Sequence, residues 1–162
     1  MTLHIRKAGM LDARALAELL NEIIKIGGTT AYVHDKTADE LARKMRVPNA
    51  AWLLAEDNAG QLLGFQWIEP HPDLPNGVAD IATFVRVGGT GLGVGSALFE
   101  ATRNTARDMG YRAIDAIIRA DNEGGLAYYQ SRGFETIKVI KDAALDDGTR
   151  VDKIWKRYDL RR

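Results

Sequence analysis

Apolar residues follow two different rhythms along this chain. Leu16, Leu19, Leu20, Ile23 and Ile24 recur three and four apart, which predicts an amphipathic helix over residues 11–26, ended by Gly27-Gly28. Thr37-Ala38-Asp39-Glu40 spells a capping box that opens a short second helix running to residue 45. Ala97, Leu98, Ala101, Ala106 and Met109 mark a third helix, starting near Ser96 and closed by Gly110. A fourth, short helix is expected over 123–132. Apolar runs at 2–7, 51–56, 61–69, 77–85 and 112–119 predict strands, and alternating runs at 135–141 and 150–158 predict a terminal hairpin turning at Asp146-Asp147-Gly148. Asp57, Asn58 and Gly60 supply another turn, and Pro70, Pro72 and Pro75 force an irregular loop. The resulting order is βααβββαβαββ, an α/β sandwich with a mixed sheet.

Length and charge narrow the partners. A chain of 162 residues is one domain's worth of sequence, residues 1–162, able to bury a core without disulfide staples. Cysteine is absent, which removes a thiolate nucleophile, a disulfide framework and cysteine metal sites. Neither a signal peptide nor a membrane-spanning apolar stretch is spelled, so a cytoplasmic location is expected. Lys plus Arg and Asp plus Glu balance at 22 each. No bulk field therefore favours nucleic acid or a membrane, and a small-molecule partner is expected. His4, His34 and His71 are scattered without an i,i+4 pair, so no metal is expected. Ser96, Ser131 and the threonines lack the setting of a hydrolase nucleophile. The basic tail at Lys153, Lys156, Arg157, Arg161 and Arg162 reads most simply as a solvated strand face, with one of these or Arg86 available to a nucleotide phosphate.

The segment from Val85 to Ser96 joins a β-branched run to a helix through alternating glycines. Glycines let successive amides turn inward, and the helix that follows points its unpaired N–H groups at the same space. Residues Gly91, Leu92, Gly93, Val94, Gly95 and Ser96 thus form a candidate anion cradle. It is not a Walker loop, because no Gly-Lys-Ser/Thr follows. A dinucleotide fingerprint, Gly91-x-Gly93-x-x-Ser96 with Asp115 beyond, would lie past the middle of the chain instead of after a first strand.

The spacing Thr90-Gly91-Leu92-Gly93-Val94-Gly95 resembles the acyl-CoA loop of the GNAT superfamily of N-acyltransferases, which runs Gln/Arg-x-x-Gly-x-Gly/Ala between a strand and a helix. Thr90 replaces the family's Arg or Gln, and Val87 replaces a common proline. A second match follows in order: the stretch from Asn122 to Phe134 resembles the later motif in which Asn leads a helix ending Tyr-x-x-x-Gly-Phe. The resemblance implies the GNAT fold, a mixed central β-sheet with helices on both faces, and acetyl-CoA as cosubstrate. It is closest in feel to the phosphinothricin and methionine sulfoximine type of small-molecule N-acetyltransferase. That type implies an amino-acid-like primary amine as acceptor, and family habit is compatible with a homodimer.

The resemblance also distributes roles. Tyr129 falls on the general acid that protonates the departing thiolate, although a tyrosine there could simply pack. Tyr128, its neighbour, reads as packing. Asp80, the one acid in its strand, falls at the place where the resembled branch carries a glutamate that draws the amine proton through water, or is a solvated residue at a strand start; Glu69 is a weaker alternative. Main-chain N–H groups near Phe84 and Val85 would meet the thioester carbonyl, where two parallel strands splay. Asn122 would cap its helix or bond the pantetheine arm. Thr29, Thr30 and Tyr32 fall in a loop suited to cover an acceptor pocket, with Gln66 and Trp67 as a hydrogen bond and a wall, or with Trp67 as core. Direct attack in a ternary complex is the expected chemistry. Acetylation of a protein or peptide, and a CoA-binding module without turnover, are the alternatives.

Overall fold

The computed structural model describes residues 2–88 and 93–161. Strand β1 (His4–Lys7) leads through a 3-10 turn at Met10–Asp12 into helix α1 (Ala13–Ile26), and helix α2 (Ala38–Met45) follows. Three strands come next, β2 (Ala51–Glu56), β3 (Leu62–Glu69) and β4 (Val78–Val85), then helix α3 (Val94–Asp108). The chain finishes with β5 (Ala113–Arg119), α4 (Glu123–Ser131), β6 (Glu135–Ala144) and β7 (Arg150–Asp159). The order matches the expectation apart from the added 3-10 turn and small shifts of the ends. The α1 stop and the α2 start are built as spelled. Gly27 takes φ 80° and donates to the Ile23 carbonyl, while Thr37 and Glu40 exchange the two capping-box bonds.

Among the described residues, seven strands form one sheet in the order β1-β2-β3-β4-β5-β7-β6, in which β4 and β5 run parallel and the other neighbours antiparallel. Alternation along the strands divides the core between two faces. Trp52, Leu54, Phe65, Trp67 and Phe84 meet the apolar stripe of α1, led by Leu16, Leu20 and Ile23. On the opposite face Leu53, Ala55 and Leu63 pack against Val94 and Leu98 of α3, and Ile68, Ile81 and Ile114 against Phe99, Tyr129 and Phe134. Helices therefore cover both sides of a mixed sheet.

The sheet opens in its middle. The parallel ladder pairs Val78 with Ala113, Ala79 with Ile114 and Asp80 with Asp115, and goes no further. Beyond it β4 stays paired to β3 and β5 to β7, so the two strands separate with a gap between them. Asp115 anchors the last rung. It is fully buried and accepts from Trp155 Nε1 at 2.7 Å and from Arg157 at 2.7 and 2.9 Å. Two members of the basic tail, Lys156 and Arg157, accordingly depart from the solvated face expected from its spelling, whereas Arg161 is exposed and Arg162 lies outside the described residues. Arg157 neutralises that carboxylate, and Lys156 is buried with its ammonium on the Thr136 hydroxyl at 2.9 Å. No helix among the described residues is long and apolar enough to cross a membrane.

Candidate active site

The gap between β4 and β5 widens into a cleft of about 820 Å³. Its walls come from both faces of the sheet, with Tyr32, Lys44 and Trp67 on the α1–α2 side and Gly95, Tyr128 and Tyr129 on the α3–α4 side. Asp80, Thr83, Phe84 and Val85 line the β4 edge, and Ile117, Arg119 and Asn122 the β5 side. Residues separated by up to a hundred positions thus meet because one ladder stops after three pairs.

Asp80 is half-buried and lies across the β3–β4 ladder from Glu69, on the same face. Burial raises its carboxyl, the Glu69 carboxylate adds to this, and the Lys44 ammonium and the Ile81 amide oppose it, leaving it at about 7. A carboxylate that titrates near neutrality is matched to taking a proton from an amine and releasing it again. The solvated reading of Asp80 does not hold. Glu69 is itself buried and bound to Lys44, whose ammonium lies 4.9 Å from the Trp67 ring centroid. Its oxygens are committed to that ion pair.

Tyr129 is buried at the end of α4, and its hydroxyl lies 2.7 Å from Thr83 Oγ1. Burial holds the phenol far above its ordinary value, while the Thr83 hydroxyl pulls it back. It therefore stays protonated across the physiological range. Tyr128 does more than pack. Its hydroxyl donates to the Gly95 carbonyl at 2.7 Å and accepts from Gln66 Nε2 at 3.1 Å, and burial pushes it up to about 12. A Cβ on Gly95 would come within 2.8 Å of the Tyr128 ring, so the α3–α4 contact requires glycine there.

Gly93 caps α3 at φ 77°, a left-handed conformation that favours glycine. The first helical bond runs from the Ala97 amide to the Gly93 carbonyl at 3.0 Å, leaving the amides of Val94, Gly95 and Ser96 without helical partners at the positive end of the dipole. Those donors and the cleft-lining Gly95 fit a pyrophosphate. The Val94 side chain is buried in the core and the Ser96 side chain is exposed, so only their main chains face this role. Thr90, Gly91 and Leu92 lie outside the described residues. Just past β4 the Arg86 amide bonds the Leu63 carbonyl at 2.8 Å. Alternation then turns the Val85 amide away from β3 toward the gap, where a thioester carbonyl could meet it. Arg86 itself is drawn elsewhere: its guanidinium bonds Glu22 and the Leu62 carbonyl, each at 3.0 Å, and it does not line the cleft.

The loop after α1 closes the acceptor side. Asn122 caps α4 by accepting from the Gly125 amide at 2.9 Å, and its Nδ2 donates to the Thr29 carbonyl at 3.0 Å. Arg119 donates to the Thr30 carbonyl at 3.1 Å while holding Asp121. Thr30 Oγ1 in turn accepts from the Tyr32 amide at 3.2 Å. Burial and the Glu69 and Asp80 carboxylates push the Tyr32 phenol up to about 12. Trp67 is both core and wall: it is buried, stacks on Trp52 at 4.4 Å between centroids, and lines the cleft. Sequence reasoning missed Thr83, Lys44 and Arg119. Strand register sets Thr83 across from Gln66, the Glu69 carboxylate draws in Lys44 from α2, and the Thr30 carbonyl meets Arg119 from β5, contacts invisible in one dimension.

Comparison with known proteins adds three findings. The profile described as Acetyltransferase (GNAT) family matches residues 14–134. Among curated proteins, a mycothiol acetyltransferase from Paenarthrobacter aurescens (strain TC1) is 40% identical over 87 residues, 51% of this chain and 27% of that protein. The YwnH protein of Bacillus subtilis (strain 168) is 25% identical over 161 residues, covering 97% and 94% of the two chains. This chain spans 26–38% of the length of the mycothiol acetyltransferases it matches. Among solved structures, a GNAT superfamily phosphinothricin acetyltransferase from Sinorhizobium meliloti in complex with AcCoA superposes with a TM-score of 0.88 at 21% identity, over 99% of this chain and 89% of that one.

Proposed function

The chain belongs to the acetyltransferase (GNAT) family, and we propose that its cleft transfers the acetyl group of acetyl-CoA to the primary amine of a small, amino-acid-like molecule. The observation that carries this reading is the single cleft between β4 and β5 in which Asp80 and the Thr83–Tyr129 hydroxyl pair sit on opposite faces of the sheet. One wall is suited to a base and the other to an acid. The phosphinothricin acetyltransferase named above supports the acceptor class, and its bound AcCoA supports the cosubstrate.

Acetyl-CoA supplies an activated acyl group on a thiolate leaving group. The protein's part is proton management and positioning. Asp80 in its ionised form removes a proton from the acceptor ammonium through an intervening water, which the short side chain calls for, so that the nitrogen is neutral when it bonds the carbonyl carbon. The Val85 amide meets the oxygen that gains charge as that bond forms. As the carbon–sulfur bond breaks, Tyr129 gives its phenol proton to the sulfur, and the nitrogen, which still carries two protons once bonded to the carbonyl carbon, sheds one of them to solvent. The products are an amide and free coenzyme A; Asp80 then releases its proton to solvent and Tyr129 takes one back. Burial that disfavours a phenolate disfavours a naked thiolate in the same cleft, so the raised phenol remains a competent donor. The Gly93–Ser96 turn of α3 would hold the pyrophosphate, and Thr29, Thr30, Tyr32 and Trp67 would enclose the acceptor.

The test is thiol release from acetyl-CoA with a panel of amino acids, sulfoximines, polyamines and short peptides, with calorimetry of acetyl-CoA binding alongside. Release stimulated by phosphinothricin, methionine sulfoximine or free amino acids is expected. Release with peptides alone overturns the acceptor class, and binding of acetyl-CoA without release by any amine overturns the reaction.

A further inference from the structure

We infer that Gln66 is a positioning residue that, acting through Thr83, fixes the direction in which Tyr129 presents its hydroxyl proton. The inference rests on the general-acid reading of Tyr129. Four hydroxyl or amide groups from β3, β4 and α4 form a chain beneath the cleft, and its polarity is anchored at one end by a group that can only accept. The Gly95 carbonyl takes the single proton of Tyr128 at 2.7 Å. The Tyr128 oxygen must then act as acceptor toward Gln66 at 3.1 Å, which requires the amide nitrogen of Gln66 to face it. The second N–H of the same nitrogen goes to Thr83 Oγ1 at 2.8 Å. Thr83, accepting there, keeps a proton of its own, and the assignment on which the inference turns gives that proton to the Tyr129 oxygen 2.7 Å away, a contact in which either hydroxyl can donate. Tyr129 accepts from Thr83, and its own proton is left to point into the cleft.

The setting of Gln66 fits a group held in one orientation. It lies directly across the β3–β4 ladder from Thr83 and has no solvent exposure. Its Oε1 has no hydrogen-bond partner among the described residues. Turning the amide over would aim that oxygen at the two hydroxyls, strip the Gly95 carbonyl of its donor and orphan two N–H groups instead of one carbonyl. The orientation with one unpaired acceptor is the less costly of the two. Its chemical consequence is that Thr83 donates to the Tyr129 oxygen as negative charge grows there during proton transfer. A chain running the other way would have Tyr129 spend its proton on Thr83.

Steady-state kinetics on Thr83→Val, Thr83→Ser, Gln66→Met, the Thr83→Val/Gln66→Met pair and Tyr129→Phe test this, with acetyl-CoA and whichever amine of the panel above turns over fastest. Thr83→Val is expected to lower kcat by about tenfold or more with KM for acetyl-CoA within about twofold, the mark of an interaction made only during reaction. Thr83→Ser, which keeps the hydroxyl, is expected to restore kcat. Gln66→Met keeps the volume without the donors and is expected to match Thr83→Val, and the double variant to fall no lower than either, since both act in series. Should Thr83→Val retain kcat, or change KM alone, while Tyr129→Phe loses the rate, the inference is overturned and the general acid stands. Should Tyr129→Phe itself keep full kcat, the underlying reading falls and this inference with it. Failure of Thr83→Ser to rescue also overturns it.

Discussion

Replacing Asp80 by Asn should stabilise the protein and disable it at once, and the two effects should share one pH range. The folded-state carboxyl titrates at about 7 against an ordinary value of 3.8. The folded protein therefore holds this proton more tightly than the unfolded chain, and ionising Asp80 costs stability progressively as pH rises from 3.8 to 7. At pH 8 that cost is roughly 1.36 × (7 − 3.8), or about 4 kcal/mol; at pH 5 it is roughly 1.36 × (5 − 3.8), or about 1.6 kcal/mol. Asn loses the favourable contributions of Lys44 and the Ile81 amide, so about half of the pH 8 figure, ~2 kcal/mol, is a reasonable net gain. For a chain of this length that corresponds to a Tm rise of about 4–8 °C at pH 8 and distinctly less at pH 5. Differential scanning calorimetry at the two pH values measures it. In parallel, kcat/KM of the parent protein should fall about tenfold per pH unit below 7, and Asp80→Asn should lose roughly 10²–10⁴ of it together with that acid limb. An equal Tm change at both pH values, or an acid limb that survives the substitution, would refute the reasoning.

Further outcomes follow from neighbouring contacts. Glu69→Gln removes a charge that raises Asp80, so the acid limb of kcat/KM should move down by on the order of one pH unit; no movement in the profile would mean that Glu69 does not tune the base. Arg157→Met leaves the fully buried Asp115 carboxylate without its cation and should cost about 3 kcal/mol in urea unfolding, with a loss under about 1 kcal/mol counting against the pairing. Asn122→Ala removes both the α4 cap and the tie to Thr29, costing about 1–2 kcal/mol and raising KM for the amine more than it lowers kcat. An unchanged amine KM would show that the loop needs no such tie.

Local chemistry made the elements legible, because their signals are local. The stripe from Leu16 to Ile24, the Thr37–Glu40 box and the Gly27 stop each depend on a few adjacent residues and appear where the spelling puts them. Part of the cleft was legible as well: Thr29, Thr30, Tyr32, Trp67, Asp80 and Tyr129, each named from the sequence, all line it. Arg86 went astray because a basic residue beside a glycine loop resembles a phosphate ligand, whereas Glu22, sixty-four positions away, claims it. Asp115 and Arg157 looked unrelated because antiparallel pairing of β5 with β7 sets their meeting. Thr83 carries no spelling of its own, and Gln66, expected as a hydrogen bond to the acceptor, is instead buried across the ladder from Thr83 and does not line the cleft; the importance of both comes from strand register.

The early end of the β4–β5 ladder has a consequence for traffic. A sheet parted in its centre is a wall with a doorway, and this doorway has a threshold on each side: Tyr32 and Trp67 flank one, Gly95 and Tyr128 the other. On the proposed reading, two reactants would approach from opposite directions and touch only at the sill. The bulky nucleotide partner would then not have to step aside for the smaller guest to enter or leave, and the order of arrival would follow affinity, not obstruction.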